Sequence, residues 1–163
     1  MSGDFELRHP TERDAATLWR LLGELDGLER NTCYAYVLLC SHFASGSLVA
    51  VREGRILGFV LGYRPPSRPD AMFVWQIGVH GDARGHGLAT QLLERFTELP
   101  LYRECSFLEA TVGTTNAASR ALFRGFARKR GVPCAEGPGF PAALFAPESH
   151  EDEDLFRIGP LWS

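Results

Sequence analysis

Val74-Trp-Gln-Ile-Gly-Val-His-Gly-Asp-Ala-Arg-Gly-His-Gly-Leu-Ala89 is the stretch that decides the reading of this 163-residue chain. An apolar run, Met72 to Val79, predicts a strand. It enters the turn Arg84-Gly85-His86-Gly87, and Leu88, Leu92, Leu93 and Phe96 then recur at helical spacing over Leu88–Leu99. Glycines let a main chain approach a ligand closely. The N–H groups of a helix's first turn have no partner one turn back, and the helix dipole favours an anion there. The segment therefore reads either as a cradle for a pyrophosphate, with Arg84 adding positive charge, or as a strand-to-helix turn without a ligand. It is not a dinucleotide fingerprint, because the sixth residue counted from Gly85 is Thr90, and it lacks the Gly-Lys-Ser/Thr ending of a Walker loop.

Outward from this stretch the pattern is a mixed α/β one. Residues Phe5–His9 alternate as a strand, and Thr11 caps a helix along which Leu18, Leu21, Leu22 and Leu25 share a face. After a loop from Asp26 to Thr32, the apolar run Tyr34–Phe43 predicts a second helix. Ser47–Arg52 and Arg55–Tyr63 around Glu53-Gly54 predict a hairpin. Arg64–Asp70, with Pro65, Pro66 and Pro69, predicts a loop. Ser106–Val112 predicts a strand and Asn116–Ala127 a helix. Gly131–Pro147, rich in Pro, Gly and Ala, predicts a loop, and Leu155–Leu161 a last strand. The expected order, β-α-α-β-β-β-α-β-α-loop-β, is a mixed sheet with an antiparallel hairpin half rather than a regular βαβ chain. No repeat or internal boundary stands out, so one domain is expected over residues 1–163.

Composition sets limits on partners. Hydrophobic residues make up 45% of the chain, and eleven phenylalanines supply core volume, which argues against global disorder. Net charge is −3 and no basic run occurs, which argues against nucleic acid. No apolar stretch approaches the roughly 20 residues of a membrane span, and the start, MSGDFELRHP, has no apolar signal core. Cys33, Cys40, Cys105 and Cys134 match no zinc spacing, so no metal is expected. Reduced thiols in a cytoplasmic protein are expected.

Arg84-x-x-Gly87-x-Ala89 between a strand and a helix resembles motif A of the GCN5-related N-acetyltransferases (GNAT). Asn116-Ala-Ala-Ser-Arg-Ala-Leu-Phe123 resembles their motif B. One helix and one strand separate the two, as in that family, and the resemblance covers residues 47–127. It implies the GNAT acyl-CoA N-acyltransferase fold: a mostly antiparallel sheet flanked by helices, in which two parallel strands splay around coenzyme A. By the same resemblance, main-chain groups of Ile77, Gly78 and Val79 bind pantetheine. The amides of Arg84, Gly85, His86, Gly87, Leu88 and Ala89 hold the pyrophosphate, and Asn116, Ser119 and Phe123 lie along the pantetheine arm. Phe123 stands where members of the family often carry a Tyr and brings no hydroxyl. The His86 side chain is given no role.

Four blocks, Leu28–Phe43, Phe73–Val79, Phe107–Val112 and Leu155–Leu161, resemble the L-2,4-diaminobutyrate acetyltransferases of ectoine biosynthesis. That resemblance spans almost the whole chain and implies acetyl transfer from acetyl-coenzyme A to the γ-amine of diaminobutyrate by a homodimer. A substrate with two amines calls for carboxylates, and attack on a thioester needs a neutral amine and hence a proton acceptor. Glu29, Glu109 and Glu153 sit where substrate contacts of that family fall, with Tyr34, Trp75 and His150 beside them. Glu109, a carboxylate in an apolar strand, is the expected proton acceptor, directly or through water. Main-chain amides near Val79 are expected to hold the thioester oxygen. Each of these residues also has an ordinary reading: Glu29 as a solvated loop charge, Glu109 as a strand carboxylate facing a partner, His150–Asp154 as a solvated acidic run, Tyr34 and Trp75 as core aromatics. Two other functions stay open, acetylation of another diamine or diamino acid, and a coenzyme A-binding module without catalysis. A route through an acetyl-cysteine lacks a Cys spaced with a His.

Overall fold

Thr11 and Asp14 form a reciprocal capping box that starts the first helical region, and the Arg8 guanidinium grips the Asp14 carboxylate at 2.8 and 3.1 Å. This ties strand β1 (Glu6–Arg8) to helix α1 (Ala15–Glu24), which a single 3-10 turn precedes. The computed structural model describes residues 4–146 and 150–162. The first three residues of the start read above, and Pro147 at the end of the expected loop, lie outside the described residues.

The chain divides into two compact units, Met1–Arg64 with Trp75–Arg103, and Pro65–Val74 with Glu104–Ser163. In the first, α1 buries Ala15, Leu18, Leu21 and Leu22, and α2 (Cys33–Ser41) buries Tyr36, Leu39 and Cys40. Thr32 caps α2 by accepting from the Ala35 amide. These faces join Val49, Phe59 and Leu61 in one core. Strands β2 (Leu48–Arg52) and β3 (Arg55–Tyr63) are antiparallel. Glu53 and Gly54 at their tip both have positive φ, the conformation that matches the twist of a two-residue hairpin. β1 pairs antiparallel with β2. Strand β4 (Ala71–Val79) runs from the second unit into the first, and α3 (Leu88–Thr97) buries Leu88, Leu92, Leu93 and Phe96.

In the second unit, β4 pairs parallel with β5 (Phe107–Gly113), and that pairing is confined to Ala71–Val74 against Phe107–Ala110. β5 pairs antiparallel with β7 (Glu153–Ile158), and β7 with β6 (Cys134–Phe140). Helix α4 (Ala117–Arg130) ends at Gly131, whose left-handed backbone lets the amides of Gly131 and Val132 reach back to the carbonyls of Arg128 and Ala127. The strand order is β1-β2-β3-β4-β5-β7-β6. This is the expected mixed, mostly antiparallel sheet.

β6 corrects the expectation of a loop over Gly131–Pro147. Cys-Ala-Glu-Gly-Pro-Gly-Phe has neither alternation nor β-propensity, and its pairing with β7 overrides both. The last strand also begins earlier than expected, so Glu153 and Asp154 are strand residues rather than part of a solvated run.

Candidate active site

Within the first unit, β4 ends at Val79 and His80 starts the turn. The His80 amide donates to the Leu57 carbonyl at 2.8 Å, and its Nδ1 accepts from the Asp82 amide at 3.0 Å. That side-chain bond folds Gly81–Ala83 into a 3-10 turn and delivers the chain to Arg84. Gly85 and Gly87 both take positive φ, and a Cβ at either would meet nothing within 4 Å. Gly87 caps α3 from the left-handed region, and the first helical amide with a carbonyl one turn back is that of Gln91, bonded to Gly87. The amides of Leu88, Ala89 and Thr90 therefore fall in the opening turn, where helix donors await an outside acceptor. Arg84, Gly85, His86 and Gly87 are all exposed, while Leu88 is buried and anchors the helix. Open space, exposed amides, a helix start and one guanidinium fit a diphosphate and the nucleotide tail it belongs to.

The same unit holds Glu29, Tyr34 and Trp75. Tyr34, at the start of α2, is 69% exposed, so the core-aromatic alternative for it is set aside. Trp75 is half-buried and packs on Tyr36 with ring centroids 5.8 Å apart. Sequence reasoning missed Tyr36 and Gln76. The buried Tyr36 hydroxyl donates to Gln76 Oε1 at 3.0 Å and accepts from the Asn31 amide at 3.2 Å. Gln76 Nε2 donates to the Glu29 carbonyl at 2.6 Å. These two side chains hold the loop that presents Glu29. Tyr36→Phe leaves the Gln76 oxygen without that donor and is expected to lower the unfolding free energy by about 1–3 kcal/mol, read from denaturant melts.

In the second unit Glu109 is only 1% exposed. Its carboxylate accepts from Arg68 Nε at 2.7 Å, Arg68 Nη2 at 2.5 Å and Arg157 Nη1 at 2.6 Å. Arg157 also donates to Asp70 at 2.8 Å and lies over the Phe107 ring at 3.6 Å. Burial pushes the Glu109 carboxyl up, but the bonds from Arg68 and Arg157 outweigh it and hold the group below the ordinary carboxylate range. These bonds argue against Glu109 as the group that takes up the amine's proton. A carboxylate filled by three guanidinium bonds has lost proton affinity, and it fastens the proline-rich loop before β4 to β5 and β7.

Asn116 caps α4, its Oδ1 accepting from the Ser119 amide at 3.1 Å. Phe123 is 3% exposed and packs against Phe156 with centroids 6.2 Å apart. Its place is the apolar layer under α4, which leaves its side chain little surface to offer a cofactor arm. His150 stacks on Phe145, centroids 3.9 Å apart and nearly parallel. Glu153 is half-buried in β7 opposite Gly113. The acidic run is not simply solvated: Glu151 accepts from Thr114 and Thr115, Asp152 from the Ala142 amide, and Asp154 from Arg120. Among the described residues, no three His, Cys, Asp or Glu are gathered as metal ligands, and no helix is long and apolar enough to cross a membrane.

The model of the acetyltransferase (GNAT) family matches residues 13–126. The L-2,4-diaminobutyric acid acetyltransferase of Bordetella parapertussis is 45% identical over 96% of this chain and 85% of that protein. The enzyme of the same name from Virgibacillus pantothenticus is 36% identical over 93% of this chain and 96% of that one. Among solved structures, the diaminobutyrate acetyltransferase EctA of Paenibacillus lautus, in complex with its substrate L-2,4-diaminobutyric acid and coenzyme A, superposes with a TM-score of 0.93 at 34% identity. The match covers 99% of this chain and 98% of that one.

Proposed function

The chain belongs to the GNAT acetyltransferase family, and from that premise we propose that it transfers the acetyl group of acetyl-coenzyme A to the γ-amine of L-2,4-diaminobutyrate, giving N4-acetyl-L-2,4-diaminobutyrate for ectoine synthesis. The observation that carries this is the extent of similarity. It runs over 96% of the chain and takes in the Glu29 loop and β7 as well as the cofactor motifs.

In this proposal each group of residues has one task. The amides of Arg84 to Ala89 hold the pyrophosphate of the cosubstrate, and the Arg84 guanidinium neutralises part of its charge. Main-chain groups of Ile77, Gly78 and Val79 align the pantetheine, and an amide N–H near Val79 donates to the thioester oxygen as negative charge develops there during the amine's attack. Asn116 and Ser119, at the start of α4, contact the pantetheine arm. Glu29 and Glu153 attract ammonium groups, Tyr34 and Trp75 offer aromatic faces to them, and His150 lines the substrate-side arm. The γ-ammonium first loses one proton through water to solvent; the neutral amine then bonds to the acetyl carbon, the C–S bond breaks, and the second nitrogen proton passes to the departing thiolate, which leaves as coenzyme A. Glu109 serves here as an anchor rather than as a base.

A single catalytic domain, homodimerisation and cytoplasmic residence belong to the same proposal. The family match, which takes in parts of both compact units, supports the first. The other two rest on the resemblance to the diaminobutyrate acetyltransferases. The deciding experiment is thiol release from acetyl-coenzyme A with diaminobutyrate, ornithine and putrescine offered in parallel, with NMR of the product. Preferential turnover of diaminobutyrate with acetylation at the γ-nitrogen is expected. Equal turnover of all three would remove the substrate assignment.

A further inference from the structure

Gly113-Thr114-Thr115-Asn116 joins β5 to α4 and presents the residue assigned to the pantetheine arm. The turn has bonds of its own, Asn116 amide to Gly113 carbonyl at 3.0 Å and Ala117 amide to Thr115 carbonyl at 2.9 Å. It is also held from the far end of the chain. Glu151 Oε2 accepts from the Thr114 hydroxyl at 2.9 Å and from the Thr115 amide at 3.0 Å. The carboxylate lies so close over Gly113 that any side chain there would collide with it. Beyond Asn116, Asp154 takes a bond from Arg120 at 2.9 Å, one helical turn into α4. The run 151–154 thus grips the Asn116 turn on both sides. Its other members are the residues assigned to substrate: His150, whose Nδ1 lies 2.6 Å from the Glu151 carbonyl, and Glu153, in register with Gly113.

We propose that Glu151 is a positioning residue that sets the turn presenting Asn116, and through it couples diaminobutyrate binding at His150 and Glu153 to coenzyme A binding. This rests on the proposed function. A substrate that fixes His150 and Glu153 fixes the Asn116 turn with them through Glu151, and linkage makes the effect reciprocal: each ligand tightens the other by the same factor. Burial pushes the Glu151 carboxyl up, but the bonds from Thr115 and Thr114 bring it below its ordinary value, so the clamp is ionised at neutral pH.

The test is calorimetric titration of coenzyme A into the full chain, with and without saturating diaminobutyrate. For the wild type, diaminobutyrate is expected to tighten coenzyme A about fivefold or more. Glu151→Ala is expected to weaken coenzyme A severalfold and to cut that enhancement below about twofold. Thr114→Val, which removes one of the two bonds, should fall between. Glu151→Gln should stay near wild type, because both bonds go to one oxygen and an amide oxygen can accept them. A Glu151→Ala protein that melts lower but keeps wild-type affinity and enhancement overturns the inference, as does a wild type with no enhancement. Absence of any coenzyme A binding by the wild type would be a different result and would bring down the acetyltransferase assignment itself.

Discussion

Glu109→Gln is expected to lower the unfolding free energy by about 3 kcal/mol at neutral pH, near the bottom of the range for removing one partner of a buried ion pair. The carboxylate is 1% exposed and serves two guanidiniums, so its loss leaves the Arg157 charge half-paired in a partly buried place. Two features keep the cost at the low end: Arg68 is 47% exposed and regains water, and Arg157 keeps Asp70. Against a total stability of about 5–15 kcal/mol the change is large, and urea melts will resolve it. The folded fraction should keep turnover within a few-fold of wild type. A variant of unchanged stability whose kcat collapses would restore Glu109 as the proton acceptor. The same cluster sets an acid limit. The Glu109 carboxyl is lowered in the folded protein, so its contribution is full above the ordinary carboxylate range and fades as pH falls through and below that range. Asp70, lowered mainly by its bond from Arg157, acts in the same direction.

Gly87→Val is expected to raise KM for acetyl-coenzyme A about 10- to 100-fold with little change in kcat at saturation. Gly87 holds φ near 70° at the head of α3. A β-branched residue in the left-handed region costs on the order of 1–3 kcal/mol, and 1.4 kcal/mol is about a factor of ten in affinity. A Cβ at Gly87 meets nothing within 4 Å, so the cost lies in the backbone rather than in a clash of that atom. The turn relieves its strain by rotating out of shape, and the amides of Leu88 and Ala89 then lose their aim. Steady-state kinetics with each substrate varied in turn separates this from a general loss of fold. A proportional fall in kcat with unchanged KM would show that these amides do not hold the cosubstrate.

Much of the molecule was legible in its sequence because local rules govern it. Arg55–Tyr63 was read to its exact ends, since a two-residue turn and a proline-rich loop bound it. The starts of α3 and α4 followed from Gly87 and Asn116. What stayed hidden depends on partners far along the chain. Arg68 and Arg157 reach Glu109 from 41 and 48 residues away, and no local pattern announces that pairing. Gln76 meets the Glu29 loop across 47 residues, and Glu151 meets Thr114 across 37. β6 was missed for the same reason, because its only claim to be a strand is its neighbour β7. Phe123 was aligned by motif position, while the bulk and apolarity of its ring sent it inward onto Phe156.

β6 also bears on how the sheet treats its own edges. It ends the strand order, a place where unpaired N–H and C=O groups invite another chain to add a strand and begin aggregation. Between Gly137 and Phe140 the register slips, setting Pro138 and Gly139 against Asp154 alone. Proline offers no N–H, and the kinked backbone presents no continuous ladder for a foreign strand to follow. At the opposite end, β1 offers only Glu6, Leu7 and Arg8, too short and too charged to serve as a template. Both rims of the sheet are thus blunted against the addition of a further strand.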